Sequence, residues 1–198
     1  MKWLSYAPLA VLLLAAAAAV AQDKPKESPW YPLQVGNTWT YKDSSGGRFT
    51  LKVTRHEKID KVNAAHIELS GADGKALLSE DVGVADDGVY RYKIGDQKPD
   101  KPVLFFKLPP KKGETWKVDT KVMGQPLTGT FKIDEAEIKI GDKTYKTFTS
   151  SSDDLDIAGL KWNVTFYFAE NVGLVKQVLK VNGQEVSLEL EKFEPGKK

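Results

Sequence analysis

Apolar residues recur at every second position through most of the chain after Asn37, and this spacing limits the fold more than any other feature. Phe49, Leu51 and Val53 alternate with Arg48, Thr50, Lys52 and Thr54. Trp162, Val164, Phe166 and Phe168 alternate with Lys161, Asn163, Thr165 and Tyr167, and Val186, Leu188 and Leu190 with Glu185, Ser187, Glu189 and Glu191. A strand sends successive side chains to opposite faces, so each run has one apolar and one polar face. Antiparallel sheets with one wet face give this pattern; parallel sheets buried on both sides do not.

Turn residues punctuate the runs at hairpin spacing: Ser45-Gly46-Gly47, Ala72-Asp73-Gly74, Asp86-Asp87-Gly88, Gly141-Asp142 and Asn182-Gly183. Asn-Gly is the strongest of these signals, because a two-residue type I′ turn needs positive φ at both positions. The count comes to about twelve strands. Two places are less regular. Phe131 and Ile133 are odd-numbered and Ile138 and Ile140 even-numbered, which calls for a bulge or a short helix over 134–137, the bulge fitting the flanking strands better. Ser150 to Asp156 could form one helical turn.

Two stretches share a local plan. Trp30 to Tyr41 contains Gly36-Asn37-Thr38-Trp39, and Phe106 to Val118 contains Gly113-Glu114-Thr115-Trp116. Each follows an aromatic residue and a leucine, and each opens a run of alternation. They mark the starts of two similar halves, 30–100 and 101–194, joined near the loop Gly95 to Pro102. Each half alone would be small for a core without disulfides, so a single domain over 30–194 is expected. The fold class is all-β, a strongly curved antiparallel sheet or open barrel built from two similar halves, since twisted sheets of this size curl or close. Trp39 and Trp116 read as core anchors, and Trp116→Ala is expected to cost about 3–5 kcal/mol.

Residues 1–21 have the order of a secretory signal peptide: Lys2 near the start, an apolar run from Leu9 to Val20, and a small-x-small site at Ala19-Val20-Ala21. The run is shorter than a spanning helix needs. The expectation is cleavage after Ala21, no transmembrane anchor thereafter, and a periplasmic or secreted protein. Residues 22–29 read as a disordered linker and 195–198 as a disordered tail. There is no cysteine, which excludes a lipid-bearing cysteine, a thiol nucleophile, a thiolate metal site and disulfide support. The 29 Lys and Arg nearly balance 27 Asp and Glu, and only Arg48, Arg55 and Arg91 are arginines. Nucleic-acid readers rely on arginine, so no nucleic-acid partner is expected.

Catalytic signals are weak. No Gly-x-Ser-x-Gly elbow or Gly-x-x-x-x-Gly-Lys loop is present. His56 and His66 lack metal-site spacing and read as surface residues, and Asp153-Asp154-Leu155-Asp156 reads as a solvated turn because a calcium loop's glycine and terminal glutamate are missing. No catalytic residue, metal ligand or cofactor is assigned. Aromatics beside polar positions mark Tyr90, Tyr92, Trp162 and Tyr167 as candidate ligand-facing residues. The function expected is a non-catalytic envelope module whose concave face takes an apolar small molecule or a peptide segment. The alternative is a hydrolase of envelope polymers using two carboxylates.

Tyr31-Pro32-Leu33-Gln34-Val35-Gly36-Asn37-Thr38-Trp39-Thr40-Tyr41, with Gly113-Glu114-Thr115-Trp116 and Tyr167-Phe168-Ala169-Glu170-Asn171-Val172-Gly173-Leu174-Val175-Lys176, resembles the DUF3108-like (TapB-like) group of exported bacterial proteins. The resemblance spans most of the chain after residue 29 and implies a curved antiparallel sheet and an envelope location. It carries over no catalytic residue. Many members of that group are lipoproteins, and the lack of a cysteine after the apolar run departs from them.

Overall fold

A computed structural model describes residues 24–196. The expected signal peptide, residues 22–23 of the linker and the last two residues lie outside this range. The first six strands are β1 (Thr38–Asp43), β2 (Arg48–Ile59), β3 (Val62–Gly71), β4 (Ala76–Val84), β5 (Gly88–Ile94) and β6 (Val103–Lys107). The next six are β7 (Thr115–Val122), β8 (Gln125–Ile140), β9 (Lys143–Ile157), β10 (Leu160–Ala169), β11 (Gly173–Val181) and β12 (Gln184–Glu194). The all-β expectation holds, and Ser150 to Asp156 belongs to β9 rather than to a helical turn. Asn182 and Gly183 have φ of 50° and 79°, the positive pair that the β11–β12 hairpin requires.

All twelve strands form one antiparallel sheet in the order β6-β5-β4-β3-β2-β1-β12-β11-β10-β9-β8-β7. Each strand pairs with its sequence neighbour, except that β1 pairs with β12 and β6 is not laddered to β7. Curvature brings β6 and β7 together all the same, making a nearly closed barrel with one seam. Side chains stitch that seam where a ladder is missing. The Trp116 indole donates to the Leu104 carbonyl at 3.0 Å. The Thr120 hydroxyl accepts from the Lys101 amide at 2.8 Å and donates to the Lys101 carbonyl at 3.1 Å. Ser150, from β9, donates to the Phe105 carbonyl at 2.7 Å, and Lys107 pairs with Glu114 at 2.6 Å. Edge carbonyls and amides that would otherwise lack partners are thereby satisfied.

The two Gly-x-Thr-Trp corners make the same backbone bonds. Gly36 donates to Val53, which donates back to Asn37; Gly113 donates to Ile133, which donates back to Glu114. Both glycines have positive φ, 91° and 82°, which a side chain would strain. Each tryptophan then stacks on the phenylalanine paired with it across the ladder: Trp39 on Phe193 at 5.3 Å, Trp116 on Phe131 at 5.5 Å. The corners differ in burial. Trp39 is 2% exposed, whereas Trp116 sits part-buried at the seam.

The core fills one end of the barrel. Chain preceding β1 enters that end: Tyr31 packs against Trp39, Phe105 and Phe168, and Leu33 is fully buried. The Trp39 indole donates to the Val172 carbonyl at 2.6 Å and the Tyr41 hydroxyl to the Leu174 carbonyl at 2.7 Å, tying β1 to the β10–β11 turn. Phe106 and Phe168 lie 4.2 Å apart, between ring centroids, in the same packed region.

The bulge expected over 134–137 lies earlier. β8 runs unbroken, and its register against β9 shifts between Thr128 and Lys132. Gly129 has no room there for a Cβ, which would come within 3.0 Å of the Leu155 Cα and 3.2 Å of the Ser152 hydroxyl. Asp154 serves the shift from the opposite strand, accepting from the Thr130 amide at 2.8 Å and the Ser152 hydroxyl at 2.9 Å. These bonds pull its carboxyl below the ordinary range. The acidic stretch at Asp153–Asp156 is therefore part of a strand, and one of its carboxylates secures a bulge; it is not a free turn.

Candidate functional site

At the other end of the barrel the interior is not filled. A cavity of about 330 Å³ lies above the packed core. Val103, Phe105 and Val118 line it from either side of the seam, and Leu127, Phe131 and Leu155 from β8 and β9. Val164, Phe166 and Leu179 close the wall opposite. It reaches the end of the barrel where β7 turns into β8 and β9 into β10, since Val122, Pro126 and Ile157 also face it. Apolar side chains stand exposed around that same end, at Leu77, Leu78, Met123, Leu160 and Val186.

Two charged groups interrupt the apolar wall. Glu80 of β4 and Arg91 of β5 pair at 2.8 Å through the arginine Nε. The guanidinium lies 4.4 Å above the Phe105 ring and 5.6 Å from that of Phe166, a doubled cation–π contact that holds it flat. Both side chains are about one-fifth exposed. Tyr31 approaches from the packed side. Burial, reinforced by the Glu80 charge, pushes its hydroxyl far above the usual tyrosine range, so it stays neutral.

Tyr90 and Tyr92 flank Arg91 in sequence and are not among the residues lining this cavity. Their rings lie 6.2 Å apart, tilted, and Tyr90 donates to Asp87 at 2.8 Å. The Tyr92 ring lies over Gly83, where a Cβ would come within 2.8 Å of it. Trp162 and Tyr167, both on β10, are part-buried against the core and also lie outside the cavity lining. Among the described residues the Trp162 indole N–H is the one buried side-chain polar atom without a hydrogen-bond partner. Sequence reasoning missed Glu80 and Arg91, although the alternation at Tyr90-Arg91-Tyr92 already sets Arg91 on the face opposite Tyr90.

A second cluster crosses β2 to β5. His66 Nδ1 lies 2.6 Å from Asp81 Oδ1, and the Lys93 ammonium lies 2.9 Å from both Asp81 Oδ2 and Glu57 Oε1. His66 is 13% exposed at its side chain and Asp81 only 2%, so the surface reading of His66 gives way to a part-buried partner of the buried Asp81. His56 pairs across the ladder with Ala65, not with His66, and its ring bonds the Leu33 carbonyl at 2.7 Å. Glu57, His66 and Asp81 bring potential ligand atoms within 4.8 Å of one another. The Lys93 ammonium already supplies a positive charge to both carboxylates, so the cluster works as an ion network that cross-links four strands.

The bond from the Lys93 ammonium, with its charge and the remaining hydrogen-bond partners and against the opposing effect of burial, holds the Glu57 carboxyl at about 2, below its ordinary 4.5. A depressed carboxylate stabilises the fold above its unfolded value, and that contribution is lost as pH falls from about 4.5 to about 2. Glu57→Gln is expected to lose that contribution already at neutral pH, a cost kept small by the exposure of the site, and to flatten the acid-unfolding curve across this window until the two proteins converge near pH 2; equal slopes in the two proteins would contradict the assignment.

Neither the family models nor the curated proteins give a significant match to the chain. Two solved structures do. An exported protein of Bacteroides fragilis with a YmcC-like fold superposes with a TM-score of 0.55 at 12% identity, over 84% of this chain and 99% of its own. A lipoprotein of Parabacteroides distasonis superposes with a TM-score of 0.52 at 11% identity, over 87% of this chain and 100% of its own. The likeness is one of fold. It covers nearly the whole of both neighbours, and at this identity it transfers no residue.

Proposed function

We propose that the protein is an exported, non-catalytic binding module that holds an apolar ligand inside the barrel. The observation that carries this reading is the unfilled apolar cavity, set beside a tightly packed core in the same barrel. Its volume falls at the lower end of small-molecule sites. Export is supported by the apolar run and small-x-small site before residue 22, and by the two neighbours, one named as exported and one as a lipoprotein. With no cysteine present, a soluble envelope or secreted location suits this chain.

Hydrolysis by two carboxylates finds less support. A general acid needs a carboxyl held above the ordinary range. Asp43, Glu57, Asp134, Asp154, Asp156 and Glu191 are all held below it, by ion pairs or hydrogen bonds. Among the residues lining the cavity Glu80 is the one carboxylate, and Arg91 occupies it.

Phenylnaphthylamine, an uncharged dye that fluoresces in apolar surroundings, tests the reading. The native protein is expected to enhance its emission saturably. Leu127→Trp combined with Val164→Phe fills the cavity and should weaken binding at least roughly tenfold while the melting temperature holds. Absence of binding, or equal binding by the filled variant, would count against the proposal.

A further inference from the structure

The structure assigns a polar preference to this cavity: it fits an uncharged amphiphile whose headgroup presents a hydrogen-bond acceptor, such as an ester or amide carbonyl, to Arg91. The inference rests on the cavity being a ligand site and adds the chemistry of the headgroup.

Arg91 has five N–H donors, and only the Nε donor is taken, by Glu80 at 2.8 Å. The two terminal amino groups make no hydrogen bond to the described protein. Neither is fully buried, since among the described residues the Trp162 indole N–H is the one fully buried side-chain polar atom without a partner, and the Arg91 side chain lines the cavity. The rings of Phe105 and Phe166 fix the guanidinium plane, so the donors are presented in a set orientation without further ordering. An apolar occupant would cover them and leave them unpaired, which is costly. An acceptor placed against them gains a charge-assisted bond.

Charge decides the class of acceptor. Glu80 already neutralises Arg91, so the pair carries no net charge. A carboxylate or phosphate brought into this apolar wall would add an unbalanced negative charge beside the Glu80 carboxylate, where screening is weak. A carbonyl, ether or hydroxyl oxygen would not. The apolar lining from Val103, Leu155 and Val164 then takes the aliphatic part.

Three probes of similar length separate the possibilities: methyl octanoate, octanoate and nonane, each titrated into the full-length mature protein by calorimetry. The native protein should bind methyl octanoate more tightly than octanoate. Arg91→Met should weaken methyl octanoate by roughly tenfold and leave nonane unchanged or slightly tighter. Glu80→Gln should reverse the preference, tightening octanoate by roughly tenfold through the now unbalanced guanidinium. Should Arg91→Met not fold, Arg91→Lys, which keeps the charge and loses the planar fork, should still weaken the ester selectively. Equal loss of methyl octanoate and nonane on changing Arg91, or octanoate as the tightest ligand of the native protein, would overturn the headgroup assignment alone. Failure of all three probes to bind would overturn the ligand cavity as well.

Discussion

Trp39→Ala is expected to destabilise the protein by about 3–5 kcal/mol, the range for removing a buried aromatic ring. Three contacts would be lost together: the stack on Phe193, the stack on Tyr31 and the indole bond to the Val172 carbonyl. They join β1 to β12 and to the β10–β11 turn, which is the junction holding the first and last strands in one sheet. Trp116→Ala should cost less, by at least ~1 kcal/mol, because that ring is part-buried at the seam. Its single stack on Phe131 and its bond to Leu104 close an edge and do not hold up a core. Urea melts of both variants measure the difference. Equal losses would mean that the two corners carry equal weight despite their unequal burial.

Asp81→Asn is expected to cost about 3 kcal/mol, the lower end of the range for breaking a buried ion pair. Its carboxylate is 2% exposed and bonds both His66 and Lys93. The amide keeps the volume and loses the charge that both partners face. The loss stays at the lower end because Lys93 retains Glu57. Glu57→Gln, at a more exposed position, should cost under ~1 kcal/mol at neutral pH. Denaturant midpoints of the two variants decide the point. A large loss for Glu57 with little for Asp81 would place the weight of the network elsewhere.

Much of the fold is legible in the amino acids because a strand's side chains alternate, and the alternation survives in most of the twelve segments. The Asn182-Gly183 hairpin could be placed to the residue, since positive φ at two successive positions is a local demand. What joins distant parts was not legible. Nothing in the run Thr38 to Asp43 says that it pairs with Gln184–Glu194, or that β6 and β7 meet without a ladder, because those choices depend on how far the whole sheet curves. The bulge shows the same limit. Parity around Ile133 to Ile140 hinted at an irregularity, but its place is set by Gly129 pressing on Leu155, a contact between strands.

The cavity was legible only as a tendency. Alternation separates Arg91 from Tyr90, yet it cannot say which of the two faces turns inward. An arginine between two tyrosines looks like a polar position on an aromatic face. It turns inward because Glu80 balances its charge and Phe105 and Phe166 cover its plane, three partners from other strands. Asp81, beside Glu80 on the opposite face, reads as a surface carboxylate until β2 and β5 bring Glu57 and Lys93 against it.

The barrel is solid at one end and hollow at the other. Methyl-labelled NMR during a nonane titration examines both ends at once. The methyl resonances of Val103, Val118, Leu127, Leu155, Val164 and Leu179 should move together and saturate, while those of Leu33, Val53 and Val175 stay fixed. Methyl resonances that never move, or shifts spread evenly through both sets, would contradict this division.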